Sequence, residues 1–446
     1  MKRSFLMLGY WLLGVTLMAQ AQADLLQSGP MLGYSTMREV LLWVQTKQAA
    51  DVYFRYWETG KTDQKQQTET IRTRKDEAFT ARLTASPLEP GKTYDYALYI
   101  NGKEVKRPYP MQFQSQALWQ YRTDPPNFSF VFGSCFYINE EAYDRPGRGY
   151  GGDYQIVDAI GKQKADFMLW GGDNVYLREP DWDSQTGIFH RYTHTRSLPQ
   201  LQPLLANMHH YATWDDHEFG PNDSDRSYPL KHLTERTFNL FWGNLNTNIT
   251  GQGGVTNHFS WADCDFFLLD NRYFRSPNRR RTGERVMLGD AQIEWLLDAL
   301  RNSRAPFKFV VMGGQTVNDF AFFENYAIYP EERARLLKGI EAEEIEGVIF
   351  LSGDRHHTIL SKLDRPRKYP LYDLTSSALT AGSHTPDEDE NSYRVPGTLV
   401  SERNFAKLSV SGERKDRVLQ IEVFNAQGER LWEHRITAKE LRLSKD

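Results

Sequence analysis

The chain has 446 residues and a formal net charge of −4 at pH 7, and 13% of its residues are aromatic. That length gives about two or three domains, with enough chain to bury a core in each. The slightly acidic balance excludes the strongly basic surface on which nucleic-acid binding depends, so no nucleic-acid partner is indicated. The aromatic content favours a packed globular protein over a disordered or repetitive one.

Residues 1–23 have the pattern of a Sec-type signal peptide. Lys2 and Arg3 precede an apolar stretch, and an Ala-x-Ala sequence ends at Ala23, so we expect cleavage before Asp24. An uncleaved membrane anchor is the alternative, but the apolar stretch is short for a spanning helix. No later segment is long and apolar enough to span a bilayer. We therefore expect a mature chain without a transmembrane segment, exported to the periplasm or secreted.

Residues 24–123 have the pattern of an N-terminal all-β domain. Short runs of alternating apolar and polar residues are separated by polar turns, and no long helical pattern interrupts them. The segment Leu88–Gly102 resembles the tyrosine corner of fibronectin-type sandwiches. We expect an immunoglobulin- or fibronectin-like β-sandwich, followed by a linker at Thr123–Pro126, where consecutive prolines end one element without starting another.

A second domain is expected at residues 127–446. From Phe128 to about Ser383, strand-like apolar runs alternate with amphipathic helical segments such as Asp290–Ser303 and Glu331–Ala342. This alternation predicts an α/β domain with parallel strand pairing. A hairpin pattern returns after the loop at Ser383–Thr398, and we expect these last strands to complete a second sheet of the domain.

Three polar clusters each follow a strongly apolar, strand-like run. The three segments are Phe167–Tyr176, His209–Phe219 and Gly347–His357. Side chains at the carboxyl ends of parallel strands meet at one edge of a sheet, where open α/β folds hold their ligands. Because Asp, Asn and His are metal-binding residue types, the three clusters predict a metal site.

The first cluster places Asp173 and Tyr176 after two glycines that permit a sharp turn. A carboxylate at Asp173 is suited to bridging two metal ions, and Tyr176 is suited to reaching one of them as phenolate. The alternative is an Asx turn, in which the side chain of Asp173 or Asn174 bonds its own backbone.

The second cluster, Asp215–Glu218, crowds four polar groups next to Trp214 and Phe219. Like charges repel unless they are solvated or neutralised by a cation. The apolar neighbours favour a semi-buried site, in which Asp216 and His217 bind metal or act in catalysis, over a solvated acidic run. Asn222 and Asp223 follow and offer oxygens of the kind that hard cations prefer, although a simple turn explains them equally well.

The third cluster alternates Asp354 and His356, which puts two donors on one side of the chain. Arg272 ends another strand. Two roles are open for it: it clamps an anionic oxygen, or it forms a structural ion pair with Asp270.

The motifs together resemble the PhoD-like (alkaline phosphatase D) family of calcineurin-like metallophosphoesterases. In order, they are GSC, GGDNVY, WDDHEFGPND, LDNRYFR, LGDAQIEWL, LSGDRHH and LTSSALT, within roughly Phe128–Thr380. Each motif is short, but their order and their strand-end positions make the resemblance specific. It implies a four-layer α/β fold, in which a β-sandwich is flanked by helices, and the β-rich segment before Thr123 matches the family's N-terminal domain.

The resemblance also implies a site with two or three metal ions. Ferric iron would be held on the Cys135 side and calcium on the Asp216 side, with Asp173 bridging them. The metal identities stay open, with Mn, Zn and Mg as alternatives, because Met312–Asp319 replaces the superfamily's intermediate histidine motif. With Asn222 included, the expected metal ligands are Cys135, Asp173, Tyr176, Asp216, Asn222, Asp354 and His356.

The two cysteines of the chain are Cys135 and Cys264. In an oxidising compartment the simplest expectation is a disulfide between them. The resemblance favours the other outcome, in which Cys135 is a metal ligand.

The implied function is that of a metal-dependent phosphoric ester hydrolase that cleaves phosphate monoesters by metal-activated hydroxide. His217 matches the histidine that faces the phosphate, and Arg272 is expected to steady an equatorial oxygen. The expected substrate is a small phosphate ester or a phosphorylated polymer or lipid. The alternatives are a phosphodiesterase or phospholipase D-like hydrolase and a non-catalytic, metal-containing binding protein.

Overall fold

The computed structural model describes residues 25–387 and 390–443, so the predicted signal peptide lies outside the described residues. Within these ranges the strands form one nine-stranded sheet and two six-stranded sheets. No helix of the described chain is both long and apolar enough to cross a membrane.

The nine-stranded sheet joins the two ends of the chain to its middle. Its strands are β1 (Leu26–Ser35), β2 (Val40–Thr46), β6 (Thr80–Ala85), β10 (Phe128–Gly133), β11 (Phe167–Gly171), β12 (His209–Thr213), β19 (Asn404–Ser411), β20 (Val418–Asn425) and β21 (Arg430–Thr437). In space their order is β21-β20-β19-β10-β11-β12-β1-β2-β6. β10, β11, β12 and β1 run parallel to one another, and the remaining pairs are antiparallel.

The second large sheet consists of β13 (Asn257–Trp261), β14 (Cys264–Leu268), β15 (Lys308–Met312), β16 (Val348–Ser352), β17 (Ile359–Leu363) and β18 (Leu371–Thr375). Their spatial order is β13-β14-β15-β16-β18-β17. The four strands β14, β15, β16 and β18 run parallel to one another. The two sheets pack face to face. The ring of Phe130 meets those of Phe266 and Phe309 edge-on, at 5.2 and 5.3 Å between ring centres.

Helices cover the outer faces of this sandwich. They are α1 (Gln155–Lys162), α2 (Gln185–Arg196), α3 (Leu201–Asn207), α4 (Asp216–Phe219), α5 (Lys231–Phe241), α6 (Asp290–Asn302) and α7 (Pro330–Ala342), with 3-10 turns at Lys75–Glu77 and Tyr326–Ile328. Because side chains alternate along a strand, β10 turns Phe130 towards the second sheet and Val131 towards the helices, where Ile156 and Leu201 join the same core. The helix–sheet–sheet–helix layering confirms the expected fold class.

The third sheet belongs to the N-terminal all-β region. It contains β3 (Asp51–Glu58), β4 (Gln66–Gln67), β5 (Ile71–Arg72), β7 (Thr93–Ile100), β8 (Lys103–Val105) and β9 (Gln112–Gln114). Phe54 and Leu98 of this sheet share a buried core with Leu42 and Val44 of β2. One layer of the N-terminal sandwich is the third sheet. The other layer is formed by β1, β2 and β6, which are part of the nine-stranded sheet.

The expectation for the last strands is wrong in one respect. β19–β21 do form hairpins, but β19 pairs with β10, so these strands extend the first sheet and do not complete the second. The carboxyl ends of β10, β11 and β12 in one sheet and of β14, β15 and β16 in the other lie at one rim of the sandwich. That rim carries the candidate site.

Candidate metal centre

Ligating side chains from several strand ends converge at this rim. They form three groups whose ligand atoms lie within 4.8 Å of one another. The first and second groups share Asp173, and the second and third share Asp216. The groups are Cys135–Asp173–His356, Asp173–Asp216–His217 and Asp216–Asp223–Glu324.

The backbone is unusual at the same strand ends. Cys135, Asp173, Asp354 and His356 have φ angles of 60°, 54°, 66° and 55°, in the left-handed region that side chains rarely adopt. Such strain clusters where a fold must present functional groups. The turn before Asp173 also requires Gly172, which has φ +104°, because a Cβ there would lie 2.9 Å from that of Asp215.

Cys135 is fully buried with its thiol free, and Cys264 is also free, so the structure contains no disulfide between them. The Sγ atom of Cys135 lies 3.0 Å from the hydroxyl of Ser377 and 3.7 Å from Oδ2 of Asp173. Burial raises the pKa of this thiol, and the Ser377 hydroxyl only partly offsets the increase. A cation beside the sulfur would favour the thiolate.

The carboxylate of Asp173 faces the other ligating groups. Its Oδ2 accepts a hydrogen bond of 3.3 Å from the Tyr176 hydroxyl, and its Oδ1 accepts one of 3.4 Å from the backbone N–H of His217. The neighbouring Asn174 donates to the carbonyl of Thr213 at 2.8 Å. Neither side chain makes the Asx turn considered as an alternative. Burial and then the charge of Asp216 hold the pKa of Asp173 well above its usual range.

Glu218 links the turn that carries Asp173 to the turn that carries Asp215. Its carboxylate is fully buried and accepts backbone N–H groups from Asp173 at 2.9 Å, Val175 at 3.2 Å and Asp215 at 3.0 Å, together with that of Asn174. It also completes a capping box at the start of α4. Glu218 therefore positions Asp173 and is not one of the clustered donors.

The second cluster is buried and is not a solvated acidic run. Asp216 accepts the backbone N–H of Asp223 at 2.7 Å. Burial raises the pKa of Asp216, but the charges of His217 and Arg272 outweigh that effect and lower it. The imidazole of His217 stacks on the ring of Tyr176 with 4.1 Å between ring centres, and burial lowers its pKa.

Arg272 lies among carboxylates from other elements of the fold. Its side chain is 1% exposed, and its guanidinium binds Asp215 and lies 2.7 Å from Glu324. Asp270 instead accepts the backbone N–H groups of Arg272 and Tyr273 at 2.9 Å. The ion pair with Asp270 is thus wrong. The clamp on an anionic oxygen stays a prediction, and in the structure the guanidinium lies against carboxylates.

His356 joins the first group through a fixed tautomer. Its Nδ1 lies 2.6 Å from the carbonyl oxygen of Gly382, which can only accept a hydrogen bond. Nδ1 therefore carries the proton, and Nε2 is unprotonated. Nε2 lies 3.4 Å from the Tyr176 hydroxyl. Asp354 does not belong to the three groups and lines, together with Asn222, a cavity of about 1070 Å³ beside them.

Two contributors were not predicted from the sequence. Glu324 lies in the loop between β15 and α7. The only sequence signal for it is that its neighbours in the loop are aromatic. Tyr150, from a long loop after β10, places its hydroxyl 2.9 Å from Nδ1 of His356. Asp223, which the sequence already indicated as an oxygen donor, is the third member of the acidic group, and burial and then nearby carboxylates raise its pKa to about 6.

These residues fit bound cations. Asp173 and Asp354 have raised pKa values, and a buried oxygen of Asp215 has no hydrogen-bond partner among the described residues. A positive ion would neutralise the crowded carboxylates and hold them ionised. The donor set changes from sulfur, phenol and imidazole at Cys135 to oxygen alone at Glu324, which is suited to more than one kind of metal ion.

The described chain is a double β-sandwich flanked by helices, with Asp, His and Cys donors at its strand ends. Residues 130–416 match the family described as PhoD-like phosphatase, and residues 23–118 match a domain of unknown function, DUF7800. The chain belongs to the PhoD-like phosphatase family.

Individual proteins are similar to this chain in sequence or in fold. Alkaline phosphatase D of Bacillus subtilis (strain 168) is 23% identical over 335 residues, which cover 64% of this chain and 54% of that protein. The match thus spans about half the length of this relative. The solved structure of PhoD superposes with a TM-score of 0.74 at 17% identity, covering 93% of this chain and 92% of that one. A purple acid phosphatase from yellow lupin (Lupinus luteus) seeds gives a TM-score of 0.67 at 12% identity, with coverages of 92% and 74%.

Proposed function

We propose that this protein hydrolyses phosphate monoesters with the help of metal ions bound at the strand-end rim. The observation that carries the proposal is the sharing of Asp173 and Asp216 between adjacent groups of ligand atoms. A carboxylate shared in this way holds two cations close together, which is the arrangement that phosphoryl-transfer enzymes use.

We propose ferric iron on the Cys135 side and calcium on the Asp216 side. Thiolate and phenolate donors at Cys135 and Tyr176 suit a transition metal, whereas the adjacent carboxylates of Asp173 and Asp216 suit calcium. Asp173 would contact both ions. Metal analysis of protein purified from its native compartment tests this assignment, and manganese, zinc or magnesium in place of iron and calcium would refute it.

Bound metal ions would supply two effects, neutralisation of the phosphate charge and acidification of a water that attacks phosphorus. The residues of the chain supply the remaining functions. His217, which burial keeps neutral near pH 7, retains one N–H and can donate a hydrogen bond to the leaving oxygen as charge develops there. Arg272 and Glu218 hold Asp215, Asp216 and Asp173 in place.

The direct test is release of nitrophenol from 4-nitrophenyl phosphate, before and after chelation. Asp216→Ala and His217→Ala should each abolish turnover, and only the first should also lose metal. Full activity with intact metal content in either variant would contradict the assigned roles. If the unmodified, metal-loaded protein hydrolyses neither this ester nor the diester below, a non-catalytic metal-binding protein becomes the better account.

Phosphodiester hydrolysis is the second candidate, and one observation favours it. A second cavity of about 500 Å³ lies beside the larger one, and both are lined by Tyr150 and Asn222. Space on two sides of the site can accommodate two organic groups on one phosphate. Faster release of nitrophenol from bis(4-nitrophenyl) phosphate than from the monoester would favour this activity, including a phospholipase D-like variant of it.

We also propose that the protein is exported through its Sec-type signal and acts in the periplasm or outside the cell. The pattern of residues 1–23 supports this proposal. Amino-terminal sequencing of the protein recovered outside the cytoplasm should begin at Asp24. Recovery of the intact chain from the cytoplasm alone would refute export.

A further inference from the structure

The smaller cavity, of about 500 Å³, is lined by five tyrosine and tryptophan rings together with charged residues, among them Arg145 and Arg148, and is called the aromatic cavity below. It is continuous with the metal centre, because Tyr176 and His217 form part of its wall. Its other aromatic lining residues are Tyr137, Tyr143, Tyr150 and Trp182. The larger cavity is lined by charged groups of both signs, among them Asp354 and Arg355. Both cavities thus have charged residues in their walls, and the smaller one has more tyrosine and tryptophan rings.

The floor of the aromatic cavity is held rigidly by Arg178. Its side chain is 6% exposed, and its guanidinium donates to the Tyr137 hydroxyl at 2.9 Å and to the carbonyl of Ile138 at 2.8 Å. It also pairs with Asp144 at 2.9 Å and lies 4.0 Å from the centre of the Tyr137 ring. With its donors used in this way, Arg178 preforms the cavity and is not available as an anion binder.

Two of the remaining rings are available to a ligand. Tyr143 is 41% exposed, although it stands in the wall of a cavity. Trp182 is half-buried, and its indole N–H donates to the carbonyl of Leu177 at 3.3 Å. Rigid rings that are fixed at one edge and open on a face are suited to stacking against a planar aromatic group.

His217 determines which part of the substrate enters this cavity. Its side chain lines the aromatic cavity and does not line the larger one. In the proposed function His217 donates to the leaving oxygen, so the organic group attached to that oxygen extends on the same side as His217.

We propose that the aromatic cavity is the binding site for the leaving group of the substrate, and that Tyr143 and Trp182 select a planar aromatic group there. This inference rests on the proposed phosphoesterase function and adds the class of ester that the enzyme prefers. The preferred substrate is an ester whose leaving alcohol carries an aromatic ring.

The test compares benzyl phosphate with propyl phosphate, because their leaving alcohols have similar acidity and differ in the ring. The value of kcat/KM is measured for the metal-loaded protein and for the variants Tyr143→Leu and Trp182→Leu. Each variant should lose about tenfold on benzyl phosphate, the loss expected for one aromatic stacking contact, and less than about twofold on propyl phosphate. The control is Phe322→Leu, which alters a 50% exposed ring in the larger cavity. It should leave the ratio of kcat/KM for benzyl phosphate to kcat/KM for propyl phosphate unchanged.

Equal losses on both esters, or no loss on either, would overturn the aromatic site while leaving the phosphoesterase function intact. A selective loss in Phe322→Leu alone would place the leaving group in the larger cavity and would also overturn it. If the unmodified protein hydrolyses neither ester nor 4-nitrophenyl phosphate, the proposed function itself fails.

Discussion

Replacing Arg272 by Met should destabilise the protein far more than removing an exposed arginine that pairs with carboxylates. Arg272 is 1% exposed and is paired with Asp215, also 1% exposed, and with Glu324, 9% exposed, and it lies 3.7 Å from Asp216. Losing one partner of a buried ion pair costs about 3–5 kcal/mol, because the remaining charges stay buried without compensation. Met fills a similar volume, so the loss reports the charge and not a cavity.

The matched control is Arg335→Met. Arg335 also pairs with two carboxylates, Asp290 and Glu294, but its side chain is 39% exposed and theirs are 65% and 67% exposed. Solvent screens such pairs, so this variant should lose no more than about 1 kcal/mol.

The free energy of unfolding is measured by urea titration after chelation of metals. Addition of calcium should restore part of the stability of Arg272→Met, because a cation neutralises the same carboxylates, and it should leave the Arg335→Met loss unchanged. Equal losses in the two arginine variants would refute the assignment of Arg272 as the buried counter-charge of the site. If Arg272→Met does not fold, Arg272→Lys keeps the charge, loses the planar fork and should show an intermediate loss.

Three further outcomes are expected. Burial lowers the pKa of His210 to about 3, so between pH 6.5 and pH 3 the unfolded chain binds a proton that the folded chain does not, and stability falls as the pH falls. His210→Gln keeps an acceptor for the Trp170 indole and should reduce the pH slope of the unfolding free energy by about 1.4 kcal/mol per pH unit; an unchanged slope would contradict it. Gly172→Ala should lose about 1–3 kcal/mol in urea unfolding and at least about tenfold in kcat/KM, because strain there displaces Asp173. Gly60→Ala, at φ +89° with open space around it, should retain activity, and equal kinetic losses in both would show that the contact with Asp215 does not matter. Chelation should abolish nitrophenol release and metal addition should restore it; undiminished release after complete removal of metal would refute metal dependence.

The parts of the fold with clear periodicity were predicted well from the sequence. The helix expected at Asp290–Ser303 is observed at Asp290–Asn302, and the strands that end in GGDN and SGDR are in place. Their polar ends meet because parallel strands present their carboxyl ends at one rim. The same geometric rule predicts that Asp173, Asp216 and His356 lie close together.

The elements that the sequence pattern does not indicate depend on partners that are distant in the chain. The helix at Gln185–Arg196 has no apolar stripe, since it buries Arg191 against Asp181 and Glu140, and such a pattern does not stand out as a helix. Strand β1 lacks alternation because both of its faces are covered, and its parallel partner β12 is distant in the chain.

The candidate site shows the same limit. Asp270 is the near neighbour of Arg272 and was the natural local partner, but it caps the turn through backbone N–H groups. The actual partners, Asp215 and Glu324, come from other elements. Glu324 belongs to no motif, so its place beside Asp223 emerges only from the folded chain.

The central claim is that Asp173 joins two metal positions in a phosphoesterase site. The most direct test measures bound metal per chain and the rate of 4-nitrophenyl phosphate hydrolysis in the same preparations of the unmodified protein and of Asp173→Asn. The account predicts more than one metal ion per chain and turnover in the unmodified protein, with both reduced together in the variant. An Asp173→Asn protein that keeps its full metal content and its hydrolysis rate would contradict the account.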